Sequence, residues 1–191
     1  MLSREYRKSL ACRLRAEYKL RLSRALGLNV RCGAQPMFHE GIPILRGSGE
    51  LVIGDHIRLR GGPVRSRIST GPNGKIVFGN GVGVNYGAEF YSAQSVTIGD
   101  YTSIGAYVTI YDTSFHSVEE GEEVKVAPVK IGANVWIGRG VTIFPGVTIG
   151  DHSVLASNAL ITSDVPSRVL AGGSPAKVIR EIRASDGWRR V

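Results

Sequence analysis

The chain has 191 residues, of which 42% are hydrophobic and 25 are Gly, with a formal net charge of +8 and two cysteines; these numbers fit one body large enough to bury a core. No apolar run approaches the roughly 20 residues that a membrane span needs, and bases interrupt every apolar stretch near the start, so no secretory leader is read there. Cys12 and Cys32 stand among arginines with no Cys or His at metal spacing, which suits reduced thiols in a cytoplasmic protein and no metal site.

The charge is concentrated. Between residues 1 and 31 nine bases face two acids, which is +7 of the total +8. In that segment Leu2, Tyr6, Leu10, Leu14, Tyr18, Leu22 and Leu26 recur at every fourth position until Gly27, which predicts a basic amphipathic helical segment over residues 1–30. Spacing by four drifts round a straight helix, so a kinked helix or two short helices serve as well as one rod. Two roles stay open for it: packing on an end or edge of the body, or contact with an anionic membrane surface at its cytoplasmic side. No nucleic-acid motif accompanies the bases, so no nucleic-acid partner is expected.

Residues 30–49, broken by Pro36, Gly41, Pro43, Gly47 and Gly49, read as an irregular lead-in. An aliphatic or aromatic residue followed by Gly and Asp or Asn then appears at Ile53-Gly54-Asp55, Phe78-Gly79-Asn80 and Ile98-Gly99-Asp100. The pattern breaks between Asp112 and Pro128. From there Ile131, Ile137, Ile143, Ile149, Leu155 and Ile161 fall six apart, and four positions after each stands Val135, Val141, Val147, Ser153, Ala159 or Val165.

A period of six fits neither a helix at 3.6 nor an isolated strand at 2; it fits a chain that wraps a triangular prism with one short strand per face. Three sixes make a coil, so Ile131 should stack on Ile149. The reading is a parallel β-helix over residues 31–176, of about five coils, with residues 112–128 expelled as a loop. Such loops commonly carry the binding face. The last coil leaves an open edge that something must cover, and residues 177–191 are read as a cap and tail with a short helix at 177–186. Outward apolar residues such as Trp136 and Phe144 suit closure about a threefold axis.

Pro128-Val129-Lys130-Ile131-Gly132-Ala133-Asn134-Val135-Trp136-Ile137-Gly138, Pro145-Gly146-Val147-Thr148-Ile149-Gly150-Asp151 and Gly173-Ser174-Pro175-Ala176-Lys177-Val178-Ile179 resemble the hexapeptide-repeat acyltransferases, in the branch of the galactoside and maltose O-acetyltransferases and related bacterial glycan enzymes. The resemblance covers about residues 76–183. It implies a left-handed β-helix and a homotrimer that binds acetyl-CoA, as co-substrate, in clefts between subunits. The implied reaction is transfer of acetyl to a hydroxyl of a saccharide acceptor, free, nucleotide-linked or lipid-linked.

A sugar hydroxyl is too weak an acid to attack a thioester unaided near neutral pH, so a base must take its proton. Histidine is the natural type. His39 sits in the lead-in, and His56 and His152 follow Gly-Asp at repeat corners, where an exposed structural residue is expected; His116 alone lies in the expelled loop, where the family's catalytic His is found. The family's common form has Pro after that His, whereas Ser117 stands here. Asp112 either orients the imidazole or is a solvated loop carboxylate. The resemblance puts Asn85 near the reacting hydroxyl, with a left-handed corner as the alternative role for an Asn, and puts Trp136 at the border of the cleft. For the cofactor it points to Arg139, Ser157 and Thr162, with Lys177 and Arg180 near the nucleotide; Arg139 replaces the usual small residue, so phosphate and solvent both remain open for it. The rival readings are N-acetylation of a nucleotide-linked amino sugar, a γ-type carbonic anhydrase, which would need three His on zinc, and a non-catalytic solenoid.

Overall fold

The structure, a computed structural model, describes residues 4–190, with side chains described from residue 9. Helix α1 (Arg4–Ala25) is followed by six coils of three strands each. They are β1 (Asn29–Cys32), β2 (Met37–His39) and β3 (Ile44–Gly47); β4 (Glu50–Ile53), β5 (Arg58–Arg60) and β6 (Arg67–Thr70); β7 (Lys75–Phe78), β8 (Gly83–Val84) and β9 (Glu89–Ser92); β10 (Val96–Ile98), β11 (Ser103–Ile104) and β12 (Thr109–Tyr111); β13 (Val129–Ile131), β14 (Trp136–Ile137) and β15 (Thr142–Ile143); β16 (Thr148–Ile149), β17 (Val154–Leu155) and β18 (Leu160–Ile161). A hairpin, β19 (Val169–Gly173) and β20 (Ala176–Glu181), closes the stack. The first strands of the coils make one sheet, the second strands another and the third strands a third, and every pairing between coils is parallel. The body is a left-handed parallel β-helix.

The hexads build this body as expected. Ile131 pairs with Ile149, Ile137 with Leu155 and Ile143 with Ile161, and all six point into one continuous core with the corner residues Val135, Val141, Val147 and Ala159. Each fully buried aliphatic contributes about 1.5–3 kcal/mol, and Ile-to-Ala changes there would cost about 2–5 kcal/mol. Gly138 follows Ile137 because the next coil presses on the corner: a Cβ on it would stand 2.7 Å from the Leu155 carbonyl oxygen.

The structure differs from the expectations in four places. Residues 29–47 form a complete first coil, which makes six coils instead of five; their prolines and glycines lie in or beside the corners between strands. The helix expected at 177–186 is absent: Ala176–Glu181 is a strand antiparallel to β19, because Gly173-Ser174-Pro175 makes a hairpin turn and Val178 and Ile179 suit a strand. His152 is a buried corner residue with its Nδ1 at 2.9 Å from the Asn134 amide nitrogen. Finally, α1 is one helix, a form left open for it, but its buried side is Cys12, Ala16, Leu20 and Ser23 instead of the stripe at every fourth position.

Ala16 and Leu20 join the same core as Val30 and Phe38, so α1 caps the open N-terminal end of the prism. The stripe at every fourth position faces away from it: Leu10, Leu14, Tyr18, Leu22 and Leu26 are all exposed. Leu2 and the Tyr6 side chain lie outside the described residues. Among the described residues no helix is long and apolar enough to cross a membrane.

Candidate active site

The loop between β12 and β13 is held shut at its base and shaped at its tip. Thr113 bridges Val126 in antiparallel fashion, and the Ala127 amide donates to the Asp112 carbonyl at 2.9 Å. At the tip, the Ser114 hydroxyl donates to the His116 carbonyl oxygen at 2.8 Å and accepts from the Lys125 amide at 3.2 Å. Phe115 adopts φ +61°, a left-handed conformation that costs a bulky residue roughly 1–3 kcal/mol. Its ring is seated against Tyr91 at 4.7 Å and Tyr111 at 5.4 Å. That anchoring presents the next residue, His116, exposed beside a cavity of about 500 Å³ floored by the third face and lined by Tyr111, Phe115, Phe144 and Pro145. The Tyr111 hydroxyl donates to Glu89 at 2.7 Å; burial and that bond push its pKa up to about 12, so it stays a neutral donor.

Asp112 does not reach this cavity. It is 0% exposed, and its carboxylate accepts from the Ser92 hydroxyl and from the amides of Ala93, Gln94 and Ser95 at 2.6–2.8 Å. Its work is to fasten the loop base to the preceding coil, so neither role expected for it, as an imidazole partner in the site or a solvated carboxylate, is present in the structure.

Asn85 and Trp136 lie elsewhere, on the second face. Asn85 directly follows Val84 in β8, has no left-handed φ, and uses its side-chain oxygen to accept from the Tyr86 amide at 2.9 Å. The left-handed corner reading for it is therefore removed, and its NH2 group has no partner among the described residues. Asn85 lines a cavity of about 450 Å³ with Ser103, His39, Arg58 and Arg60. Trp136, 52% exposed, lines a neighbouring cavity of about 330 Å³ that also includes Ser103. Its other walls, Trp188 and Arg190, come from the tail, which is bound to the solenoid by Arg190: its amide donates to Asn134 at 2.9 Å and its guanidinium to the His152 carbonyl at 2.9 Å. Nothing in the hexads signalled that the tail returns here.

Of the residues expected at the cofactor, Arg139 and Ser157 stack at one corner in consecutive coils, the Asn158 amide donating to the Arg139 carbonyl at 2.8 Å. The Arg139 guanidinium lies over the Tyr107 ring at 4.9 Å. Lys177 and Arg180 are exposed on β20, which extends the second face, whereas Thr162 follows β18 on the far side of the third face. Among the described residues no three His, Cys, Asp or Glu side chains converge as metal ligands do.

Residues 128–163 match the model of the bacterial transferase hexapeptide family (six repeats). The repeats are those of the bacterial hexapeptide transferases. Over 122 residues this hexapeptide-repeat chain is 39% identical to a galactoside O-acetyltransferase of Escherichia coli (strain K12), covering 58% of the chain and 60% of that protein; the chain thus spans less than two thirds of the length of the curated relatives it matches. Among solved structures, a hexapeptide-repeat acetyltransferase of Vibrio cholerae O1 biovar eltor complexed with acetyl coenzyme A superposes with a TM-score of 0.59 at 26% identity, over 94% of this chain and 89% of that one. A galactoside acetyltransferase in complex with coenzyme A superposes with a TM-score of 0.58 at 28% identity, over 88% and 72%.

Proposed function

We propose that the protein is an acetyl-CoA-dependent O-acetyltransferase of a saccharide hydroxyl, working as a homotrimer with His116 as general base. The observation that carries this reading is the division of the site: His116 opens on the third face, whereas Asn85 and Trp136 open on the second. A threefold arrangement would bring the loop of one protomer to the second face of its neighbour and complete the site. The relatives named above, one called a galactoside O-acetyltransferase and another complexed with acetyl coenzyme A, support acetyl transfer to a sugar.

In this reading the acceptor oxygen attacks the thioester carbonyl carbon while the imidazole of His116 takes the hydroxyl proton; the C–S bond then breaks and the proton passes to the departing thiolate. Asn85 offers its free NH2 to the acceptor, and Trp136 offers an aromatic face to the sugar ring. Arg139, Ser157, Lys177 and Arg180 are proposed to meet the coenzyme, the cations through its phosphates; Thr162, on the far side of the third face, would meet a coenzyme bound against the neighbouring protomer. The test is thiol release from acetyl-CoA against neutral sugars, amino sugars, nucleotide sugars and glycan oligomers. Release with a hydroxyl acceptor is the expected result. Release only with amino sugars would replace O- by N-acetylation, and acetyl-CoA binding with no acceptor at all would leave a non-catalytic solenoid.

A second reading concerns place. The outward stripe Leu10, Leu14, Tyr18 and Leu22 has the exposed bases Arg15 and Arg21 beside it, which supports docking of α1 on an anionic membrane surface.

A further inference from the structure

We propose that Arg58, Arg60 and His39 form a phosphate-binding subsite on the second face, which takes the phosphate or diphosphate group carried by the acceptor saccharide. The identity of the acceptor as a saccharide rests on the function proposed above; the anion site does not.

Strand alternation sets the geometry. Leu59 is fully buried, so its neighbours Arg58 and Arg60 both project outward from β5. Arg60 is in register with His39 on one side, and on the other Leu59 pairs with Val84, which puts Asn85 next to Arg60. Strands lie about 4.8 Å apart, so His39, Arg60 and Asn85 form a short outward column. Beside it, Arg58 is in register with Gly83 and Gly83 with Ser103. Gly83 has no side chain, and a Cβ there would meet nothing within 4 Å. The missing side chain opens the hollow of about 450 Å³ that these six residues line.

The charges in the hollow are unbalanced. Among the described residues neither Arg58 nor Arg60 is paired with a carboxylate. The His39 ring is held from behind, with Nδ1 3.4 Å from the buried Cys12 sulfur on α1, which leaves Nε2 for a ligand. Burial and the Arg60 guanidinium, with Arg58 and Arg15 acting in the same sense and Glu40 opposing, hold its pKa below the ordinary value; a bound anion would relieve that repulsion. Two guanidinium forks and an imidazole directed into a hollow match the oxygens of a phosphate ester.

The hollow also adjoins the Trp136 cavity, because Ser103 borders both. From β5 to β14 is three strand spacings, about 14 Å, room for a sugar at Trp136 and Asn85 with its phosphate at the arginines.

The experiment is calorimetric titration of inorganic pyrophosphate and uridine diphosphate into the intact protein with coenzyme A already saturating, so that the coenzyme's own phosphate site is filled. We expect binding that weakens with salt and falls about tenfold to a hundredfold in Arg58→Gln/Arg60→Gln, the range for hydrogen bonds to a charged group. Gly83→Leu, which fills the hollow from a position where the fold has space, should weaken it as well. Tighter binding of uridine diphosphate than of pyrophosphate would assign the nucleotide-linked source; tighter binding of farnesyl diphosphate would assign the lipid-linked one. The absence of pyrophosphate binding, or binding indifferent to both variants, overturns the proposal. If instead these anions bind as expected while no sugar releases thiol from acetyl-CoA, the subsite stands and the proposed function falls.

Discussion

The carboxylate of Asp112 accepts the hydroxyl hydrogen of Ser92 at 2.8 Å, and both residues are fully buried. With the three backbone amides that the same carboxylate receives, this joins the base of the His116 loop to the coil before it. Asp112→Ala would leave the buried Ser92 hydroxyl and three part-buried amides without their acceptor, at about 1–3 kcal/mol for the buried donor and less for each amide that water can reach. We expect a loss of about 3–5 kcal/mol in denaturant unfolding and faster amide exchange at Ala93, Gln94 and Ser95. Unchanged protection at those three amides would refute the fastening role.

His116→Ala tests the base itself. A placed imidazole contributes about 10²- to 10⁴-fold to rate, and the exposed tip of the loop lies outside the core, so the coils should remain as they are. The loss should fall on kcat, with acetyl-CoA affinity little changed. A variant that keeps more than about a tenth of kcat would remove His116 from this role.

The shared site has a sharper test than size alone. His116→Ala and Asn85→Ala trimers should each be nearly inactive. When the two are unfolded and refolded together in equal amounts, about a quarter of the interfaces should pair an intact His116 with an intact Asn85. Recovery of activity is the expected outcome, and its absence, in mixtures shown to have exchanged subunits, would place the whole site within one chain.

Deleting α1 is a poor test of membrane docking, because Ala16 and Leu20 belong to the core and their removal would uncover it. Leu14→Glu/Tyr18→Glu changes only side chains that are 57% and 63% exposed. The double variant should stay folded and lose binding to liposomes rich in anionic lipid, and wild-type binding should weaken with salt. Equal liposome binding by both proteins would refute docking through this stripe.

His39 predicts a pH dependence of stability. Burial, then the Arg60 guanidinium, lowers its pKa in the folded state below the ordinary 6.5. As pH falls the unfolded chain therefore takes up a proton first, so this contribution is whole above about 6.5 and is lost as pH falls through the folded-state pKa. Unfolding midpoints compared between pH 7.5 and pH 5 should drop more in the wild type than in His39→Gln; equal drops would refute the assignment.

The hexads were legible because each buried aliphatic repeats every sixth residue against its own image in the next coil, so sequence spacing and spatial stacking coincide. Residues 29–47 obey the same geometry, but Val30 meets its partner Leu51 after 21 residues instead of eighteen, so there spacing and stacking part company, which hid the first coil. The stripe on α1 misled for a different reason: Leu10, Leu14, Tyr18 and Leu22 are the more numerous large apolar residues, but the side that packs is Cys12, Ala16 and Leu20, where two small side chains let the helix lie close on the prism and a single Leu enters the core. At the site, His116 could be found from its loop, whereas Arg58 and Arg60 look like ordinary surface bases until register sets them beside His39, Asn85 and the hollow over Gly83.

The stacking of Ile131 on Ile149 makes the solenoid a ruler marked in eighteens. Removing a single residue between them would shift every later strand out of phase with the coil beneath and turn buried side chains toward solvent at once. Length is freest to vary where the chain already leaves the count of six, at residues 112–128 and in the six-residue turn at 61–66. A scanning library of single-residue insertions should accordingly yield folded protein in those two windows and fail across 129–161, a tolerance map that follows from arithmetic on the chain before any side chain is considered.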